Sequence, residues 1–161
     1  MRPSWDNYFI EIVKAVAKRS TCDRGKVGCV LVKDKRILST GYAGAPVGLP
    51  HCDEVGHEMA VVKNDNGTES QHCIRTCHAE VNAIAMAARM GVPVLGAIAY
   101  VTMTPCYACA KMLVNAGLVR VVAEQDYHAS ARTKKLFQQA GIKLEILDKS
   151  IKKYDGQKTN A

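Results

Sequence analysis

Two short segments constrain this chain more than anything else in it. His78-Ala79-Glu80 sets an imidazole and a carboxylate two residues apart, and Pro105-Cys106-Tyr107-Ala108-Cys109 sets two thiols three apart behind a proline. Each stands where apolar periodicity predicts a helix to begin. Cys106 and Cys109, at i and i+3, share a helix face and can grip one ion. The unpaired N–H groups and positive end of a helix favour thiolates there. His78, Cys106 and Cys109 are three zinc ligands, and three protein ligands leave a tetrahedral ion one open position, as in catalytic rather than structural sites. Water in that position becomes a nucleophile near neutral pH. Glu80, pointing elsewhere than His78, is a carboxylate able to move protons. Taken singly, a Cys-x-x-Cys is equally a redox pair or half of a structural zinc site, and Glu80 is an ordinary helix-opening acid. Together they demand a fold that brings two helix starts face to face.

The rest of the chain supplies such a fold. Ser4 to Ser20 has helical spacing, with Ser4 as cap and Phe9, Ile12, Val13 and Val16 on one face. Val27 to Lys33 and Arg36 to Tyr42 read as a hairpin around a Lys-Asp-Lys turn. Ala43 to Cys77 has little regular pattern, apart from an Asn64-Asp65-Asn66-Gly67 turn, and a stretch that long is functional or tied down by something other than core packing. His78 to Met90 is a helix with Val81, Ile84, Ala85 and Ala88 on one side, stopped by Gly91 and Pro93. Strands follow at Ala97 to Met103, Leu118 to Ala123 and Ile142 to Leu147, with helices at Tyr107 to Ala116 and Ala131 to Ala140 between them. From Asp148 the chain reads as a short helix at most, then a polar tail. Alternating strands and helices imply parallel crossovers, and the opening hairpin makes the sheet mixed.

The 161 residues fit one domain, with a core of about 5–147, and 48% hydrophobic residues suffice for it without disulfides. Seven cysteines, an odd number, point to metal or reactive thiols in a reducing compartment. No run approaches the roughly 18 apolar residues of a membrane span, and the first residues lack the apolar stretch of a signal peptide; the expectation is a soluble, cytoplasmic protein. The net charge of +7 favours anionic partners. Its lysines and arginines, including the tail Lys149, Lys152 and Lys153, are spread as on a solvated face rather than gathered for nucleic acid.

Cys77-His78-Ala79-Glu80-Val81-Asn82-Ala83-Ile84 and Tyr100 to Lys111 resemble the zinc-dependent cytidine and deoxycytidylate deaminases, whose signature is His-x-Glu…Pro-Cys-x-x-Cys. Gly41-Tyr42-Ala43-Gly44-Ala45-Pro46-Val47-Gly48 and Tyr127-His128 resemble, within them, the compact deoxycytidylate (dCMP) deaminases of bacteria and phages. The resemblance covers about Trp5 to Leu147. It implies a three-layer α/β/α sandwich around a five-stranded mixed sheet. It implies zinc on His78, Cys106 and Cys109, and Glu80 as proton carrier in hydrolysis of dCMP to dUMP and ammonia, which supplies dUMP for thymidylate synthesis. Lys26, Tyr127, His128, Ala79 and Thr104 are the substrate contacts it implies, with Ser130 and Arg132 as helpers, and a homo-oligomer, a hexamer by family habit, is expected.

Some members of the family carry a second, structural zinc. Cys22, Cys52, His72 and Cys73 fall in the corresponding places, and a closed site there would staple the long loop. Neighbouring ligands such as His72 and Cys73 are sterically unusual, so His51, His57 or Cys77 is an alternative for one of them. Cys29 reads as a buried strand thiol. Where the family has Gly-Tyr-Asn-Gly, this chain has Ala43, which offers no side-chain hydrogen bond. That segment borders the family's allosteric site, so weak or absent control by dCTP and dTTP is expected. Two other readings stay open: a deaminase acting on a nucleic-acid base, of the tRNA adenosine type, and a non-enzymatic structural zinc module.

Overall fold

A computed structural model describes residues 1–63 and 67–152. The tail residues from Lys153 on, and Asn64 to Asn66 of the expected turn, lie outside the described residues. Helix α1 spans Trp5–Ala17, and the hairpin strands β1 and β2 span Gly28–Lys33 and Arg36–Tyr42. A single-turn helix α2 (Cys52–Val55) precedes strands β3 (Met59–Lys63) and β4 (Glu69–Cys73). Then come α3 (Ala79–Arg89), β5 (Ile98–Met103), α4 (Tyr107–Asn115), β6 (Arg120–Tyr127), α5 (Ala131–Ala140) and β7 (Lys143–Lys152). Among the described residues, no helix is long and apolar enough to cross a membrane.

The main sheet has five strands in the order β2-β1-β5-β6-β7. β1 runs antiparallel to both neighbours, while β5, β6 and β7 are parallel. Period-two alternation sorts the strand residues onto two faces. Val30, Val32, Tyr100 and Val122 meet Phe9, Ile10 and Val13 of α1. Cys29, Leu31, Ala99, Val101, Val121 and Ala123 meet Ala79, Ala83, Ala110, Leu113 and Phe137 of α3, α4 and α5. This is the three-layer α/β/α sandwich with a five-stranded mixed sheet.

The termini of the elements have local causes. The Ser4 side chain accepts from the Asn7 N–H and starts α1. Asp34 and Lys35 both have positive φ, 50° and 61°, as a two-residue turn between twisted strands requires. Arg120 grips Asp6 with two N–H groups, at 3.0 and 2.7 Å, and pairs with Glu145, while the Tyr100 hydroxyl donates to Asp6 at 2.7 Å. The Arg120 guanidinium holds the Asp6 carboxyl below the usual carboxylate range, although burial opposes it. The start of α1 is thus pinned across the sheet to β6 and β7.

Five expectations need correcting. The long segment from Ala43 to Cys77 is not irregular: β3 pairs with β4 in a separate two-stranded sheet. Its residues are mostly exposed or half-buried, so they carry no strong apolar alternation to read. β6 runs on to Tyr127, past Ala123, and β7 runs on to Lys152 where a short helix was expected. Those strand ends are polar because they lie beyond the apolar middle of the sheet. On α3 the buried face is Ala79, Glu80, Ala83 and Ala87, whereas Ala85 and Ala88 are exposed and Val81 and Ile84 half-buried. On α1, Ile10 and Ala17 are buried while Ile12 and Val16 sit at the margin. Met86, Met90 and Met112 are exposed, but Leu113 is core.

Small residues win on α3 because the helix lies almost on the backbone of β2. A Cβ added at Gly41 would stand 2.2 Å from the Ala79 carbonyl oxygen and 2.4 Å from the Ala83 nitrogen. The Ser39 hydroxyl donates to the Ala83 carbonyl at 2.7 Å, fixing the same approach. Replacement of Gly41 by alanine therefore has to push α3 off the sheet. Overpacking of this kind costs about 1–3 kcal/mol, and we expect Gly41→Ala to lower the Tm and to weaken metal retention at His78. A melt and a metal analysis unchanged from wild type would contradict this.

Candidate active site and metal centres

The first site is built at two helix beginnings. His78 is the N-cap residue of α3 and Cys106 that of α4, both with extended backbone. β5 delivers Cys106 through Thr104 and Pro105 at its carboxyl end, and the Gly41 contact fixes the start of α3. The His78 Nδ1 atom stands 3.4 Å from the Cys106 Sγ and 3.4 Å from the Cys109 Sγ. All three ligand atoms lie within 4.8 Å of one another. Ligands of a tetrahedral zinc ion, about 2.0–2.3 Å from the metal, are about 3.3–3.8 Å apart, so the donor set fits zinc.

The electrostatics are those of a cation site. The Cys109 thiol and the His78 imidazole together stabilise the Cys106 thiolate against burial, bringing its pKa down to about 4. Cys109 is pushed up, first by Cys106, then by burial and by Glu80. Cys106 raises the His78 pKa to about 9. Glu80, only 8% exposed, has its pKa raised by burial.

A pocket opens over these groups. His78, Glu80 and Cys106 form its base. One wall is Arg24, Gly25 and the start of β1, continued by Gln71, His72 and Cys73 of β4. Thr102 to Thr104 at the end of β5 and Tyr127 at the end of β6 complete the lining, the Thr102 hydroxyl accepting from the Gly28 N–H at 3.2 Å. The pocket therefore sits at the carboxyl ends of parallel strands, where α/β sheets place ligands. Ala43 also lines it. Its main chain accepts from the Thr21 N–H and donates to the Val27 carbonyl, at 3.1 and 3.2 Å.

Of the substrate residues expected from the sequence, Tyr127 and Thr104 line the pocket. His128 does not; it packs edge-on against the Tyr127 ring at 4.4 Å. Ala79 is buried against Gly41. Lys26 is exposed and outside the lining, and Arg24, two residues earlier, takes the place. Arg24 also donates to the Gln71 carbonyl at 3.2 Å, tying loop to hairpin. The loop before β1 was the correct region, but its irregular backbone turns Arg24, Gly25 and Val27 toward the pocket and leaves Lys26 exposed. Arg132 lies over the Tyr107 ring at 4.2 Å.

A second cluster lies beside the pocket. Cys22, Cys52, His57 and Cys73 bring their ligand atoms within 4.8 Å of one another. Cys22 Sγ is 3.6 Å from His57 Nδ1, and Cys52 Sγ is 3.6 Å from Cys73 Sγ. His57, not His72, is the fourth member. His72 and Cys73 are successive residues of β4, so their side chains leave opposite faces; His72 faces the pocket and meets the Ser70 hydroxyl at 2.8 Å. Asp23 holds the other ring nitrogen of His57 at 2.9 Å, turning Nδ1 to the thiols. The alternative His51 is engaged by the Ala45 N–H and Thr21. Burial pushes the Cys22 thiol up and, with the neighbouring thiols, Cys52 up to about 12. Against burial, main-chain donors at Arg75 and Glu58 bring Cys73 down to about 7. Four soft or borderline donors, with Cys22 and Cys52 buried, suit a structural zinc.

Comparison with known proteins agrees with this geometry. Residues 3–125 match the family described as the cytidine and deoxycytidylate deaminase zinc-binding region. The chain is 40% identical over 147 residues to ComE operon protein 2 of Bacillus subtilis (strain 168), covering 91% of this chain and 73% of that one. It is 41% identical over 128 residues to the deoxycytidylate deaminase of Mycobacterium phage D29, covering 78% and 98%. The crystal structure of dCMP deaminase from the cyanophage S-TIM5 in complex with dCMP and dUMP superposes with a TM-score of 0.72 and 26% identity, over 91% of this chain and 98% of that one. The helix-borne His-Ala-Glu and Pro-Cys-x-x-Cys segments, the mixed five-stranded sheet and these likenesses place the chain in the cytidine and deoxycytidylate deaminase family.

Proposed function

We propose that this protein is a deaminase that hydrolyses dCMP to dUMP and ammonia with zinc held by His78, Cys106 and Cys109. The observation that carries the reading is Glu80, a buried carboxyl at the base of the same pocket into which the three donors converge. Relatives named deoxycytidylate deaminase, and a similar structure bound to dCMP and dUMP, support the choice of substrate. Bound at this site, zinc supplies a Lewis acid that brings the acidity of water toward neutral pH.

The residues of the chain do the rest. Glu80 accepts a proton from the attacking water as its oxygen bonds to C4 of the cytosine. It passes that proton to N3, then takes the second proton from the new C4 hydroxyl and passes it to the departing amine, so both water protons end on nitrogen as the C4–N4 bond breaks and C4=O forms. Burial raises the Glu80 pKa, which makes it a stronger base than an exposed carboxylate. Arg24 at the pocket wall is suited to the phosphate, since guanidinium matches phosphate geometry. Tyr127 lines the same pocket. The open fourth position and Glu80 together speak against a structural zinc module, and scattered basic residues against a nucleic-acid substrate.

We further infer a second zinc on Cys22, Cys52, His57 and Cys73, and a cytoplasmic homo-oligomer, hexameric by family resemblance. Met86, Met90 and Met112, exposed at 42%, 69% and 39%, support burial against another copy, and a monomeric mass by light scattering would overturn it.

Loss of cytosine absorbance with purified protein tests the reaction: fast turnover of dCMP, in preference to dCTP, deoxycytidine and CMP, is expected. Glu80→Gln should lower kcat by about 10²–10⁴ while zinc stays bound; full activity in the variant would sink the mechanism. Elemental analysis should find two zinc ions per chain, one fewer in Cys106→Ala or His57→Ala, and no loss in His72→Ala. Loss with His72→Ala but not with His57→Ala would reverse the assignment. With Ala43 lining the pocket, saturation curves should be hyperbolic with or without dCTP and dTTP. A sigmoidal curve that dCTP makes hyperbolic would refute that.

A further inference from the structure

Asp126 gathers more of the pocket than any residue named so far. It lies at the end of β6, where the pairing with β7 slips from Gln125 opposite Asp148 to Asp126 opposite Ile151. Such a bulge re-aims a side chain. Its carboxylate accepts from the Thr104 hydroxyl at 3.0 Å, the Tyr127 main-chain N–H at 2.9 Å and the Lys134 ammonium at 2.5 Å. Against burial, Lys134, Ser130 and Thr104 hold its carboxyl below the usual carboxylate range. The side chain is 13% exposed. Thr104 and Tyr127 line the pocket. Ser130 and Lys134 belong to the cap and first turn of α5, whose buried Thr133 hydroxyl donates at 2.9 Å to the Pro105 carbonyl, next to Cys106.

We propose that Asp126 is a positioning residue of the nucleotide pocket, one carboxylate that ties the ends of β5 and β6 to the start of α5 and so sets Thr104 and Tyr127 against the substrate. The inference rests on the dCMP reading above. It also gives Thr104 a defined polarity. A threonine hydroxyl has one hydrogen, and its two neighbours, the Asp126 carboxylate and the Gln125 carbonyl at 3.4 Å, only accept. Thr104 therefore has no hydrogen to offer an occupant of the pocket, and a ligand atom that must receive one is refused there.

The test uses the full-length zinc-loaded protein and dCMP. Removing the acceptor takes away the partner of three donors at once, and Asp126→Ala should raise KM about tenfold with kcat within about threefold. Asp126→Asn keeps an amide oxygen for Thr104 and the Tyr127 N–H, and should recover most of the loss. In a Glu80→Gln background, where dCMP stays intact, the dCMP Kd should rise by the same factor. A KM within about twofold of wild type in Asp126→Ala overturns the proposal. So does a joint fall of kcat, zinc content and Tm with no recovery in Asp126→Asn, which would assign Asp126 to folding alone. Wild-type protein that leaves dCMP unchanged overturns the dCMP reading and this proposal with it, whereas an active wild type with an unaffected variant overturns only the role of Asp126.

Discussion

The seat of α3 on the backbone of β2 is the constraint on which the rest of the molecule depends. No side chain separates them at Gly41, and Ser39 bonds directly to the helix main chain. Helix and strand are therefore held at a distance set by backbone atoms, not by rotamers. His78 caps this helix, so its position follows from the same contact. α4 reaches the partner position by another route, from the end of β5, and the two helix starts meet at ligand distance.

Placing the chemistry at helix starts and strand ends joins two sources of order. The strands are held by their ladders and by the Arg120 bonds to Asp6 and Glu145. The helix starts leave N–H groups and a positive end facing the thiols. Glu80 sits within the first turn of α3, buried enough to raise its pKa yet in contact with the pocket. The hairpin of β3 and β4 has almost no core of its own, and it contributes Gln71, His72 and Cys73 to the pocket wall. Its hold on the body runs through Cys52, His57 and Cys73, and through the bond from Arg24 to Gln71.

Much of this was legible in the residues. Val27 to Tyr42 and the helices closed by Gly91, Gly117 and Gly141 announce themselves by alternation, spacing and positive-φ stops. The ligand trio needed only the spacing of His78, Cys106 and Cys109 and their place at helix starts. What stayed hidden had weak one-dimensional signals. β3 and β4 are mostly exposed strands whose residues do not alternate between apolar and polar. The choice of His57 over His72 depends on which side of β4 a residue leaves, and the register of that strand is visible only once it is paired. Asp126 looks like any polar residue beyond a strand, because its three donors come from three separate parts of the chain.

The two layers flanking the sheet are unequal. Among the described residues, the buried filling toward α1 is Phe9, Ile10, Tyr100 and valines; toward α3 six of the fourteen buried residues are alanine. Bulky side chains can be exchanged for others of similar volume, since rotamers absorb the difference. Alanines against a bare backbone have no such slack. A lineage descended from this chain is thus free to remodel one side of the molecule while the other is locked, and its sequence drift should be as lopsided as its sandwich.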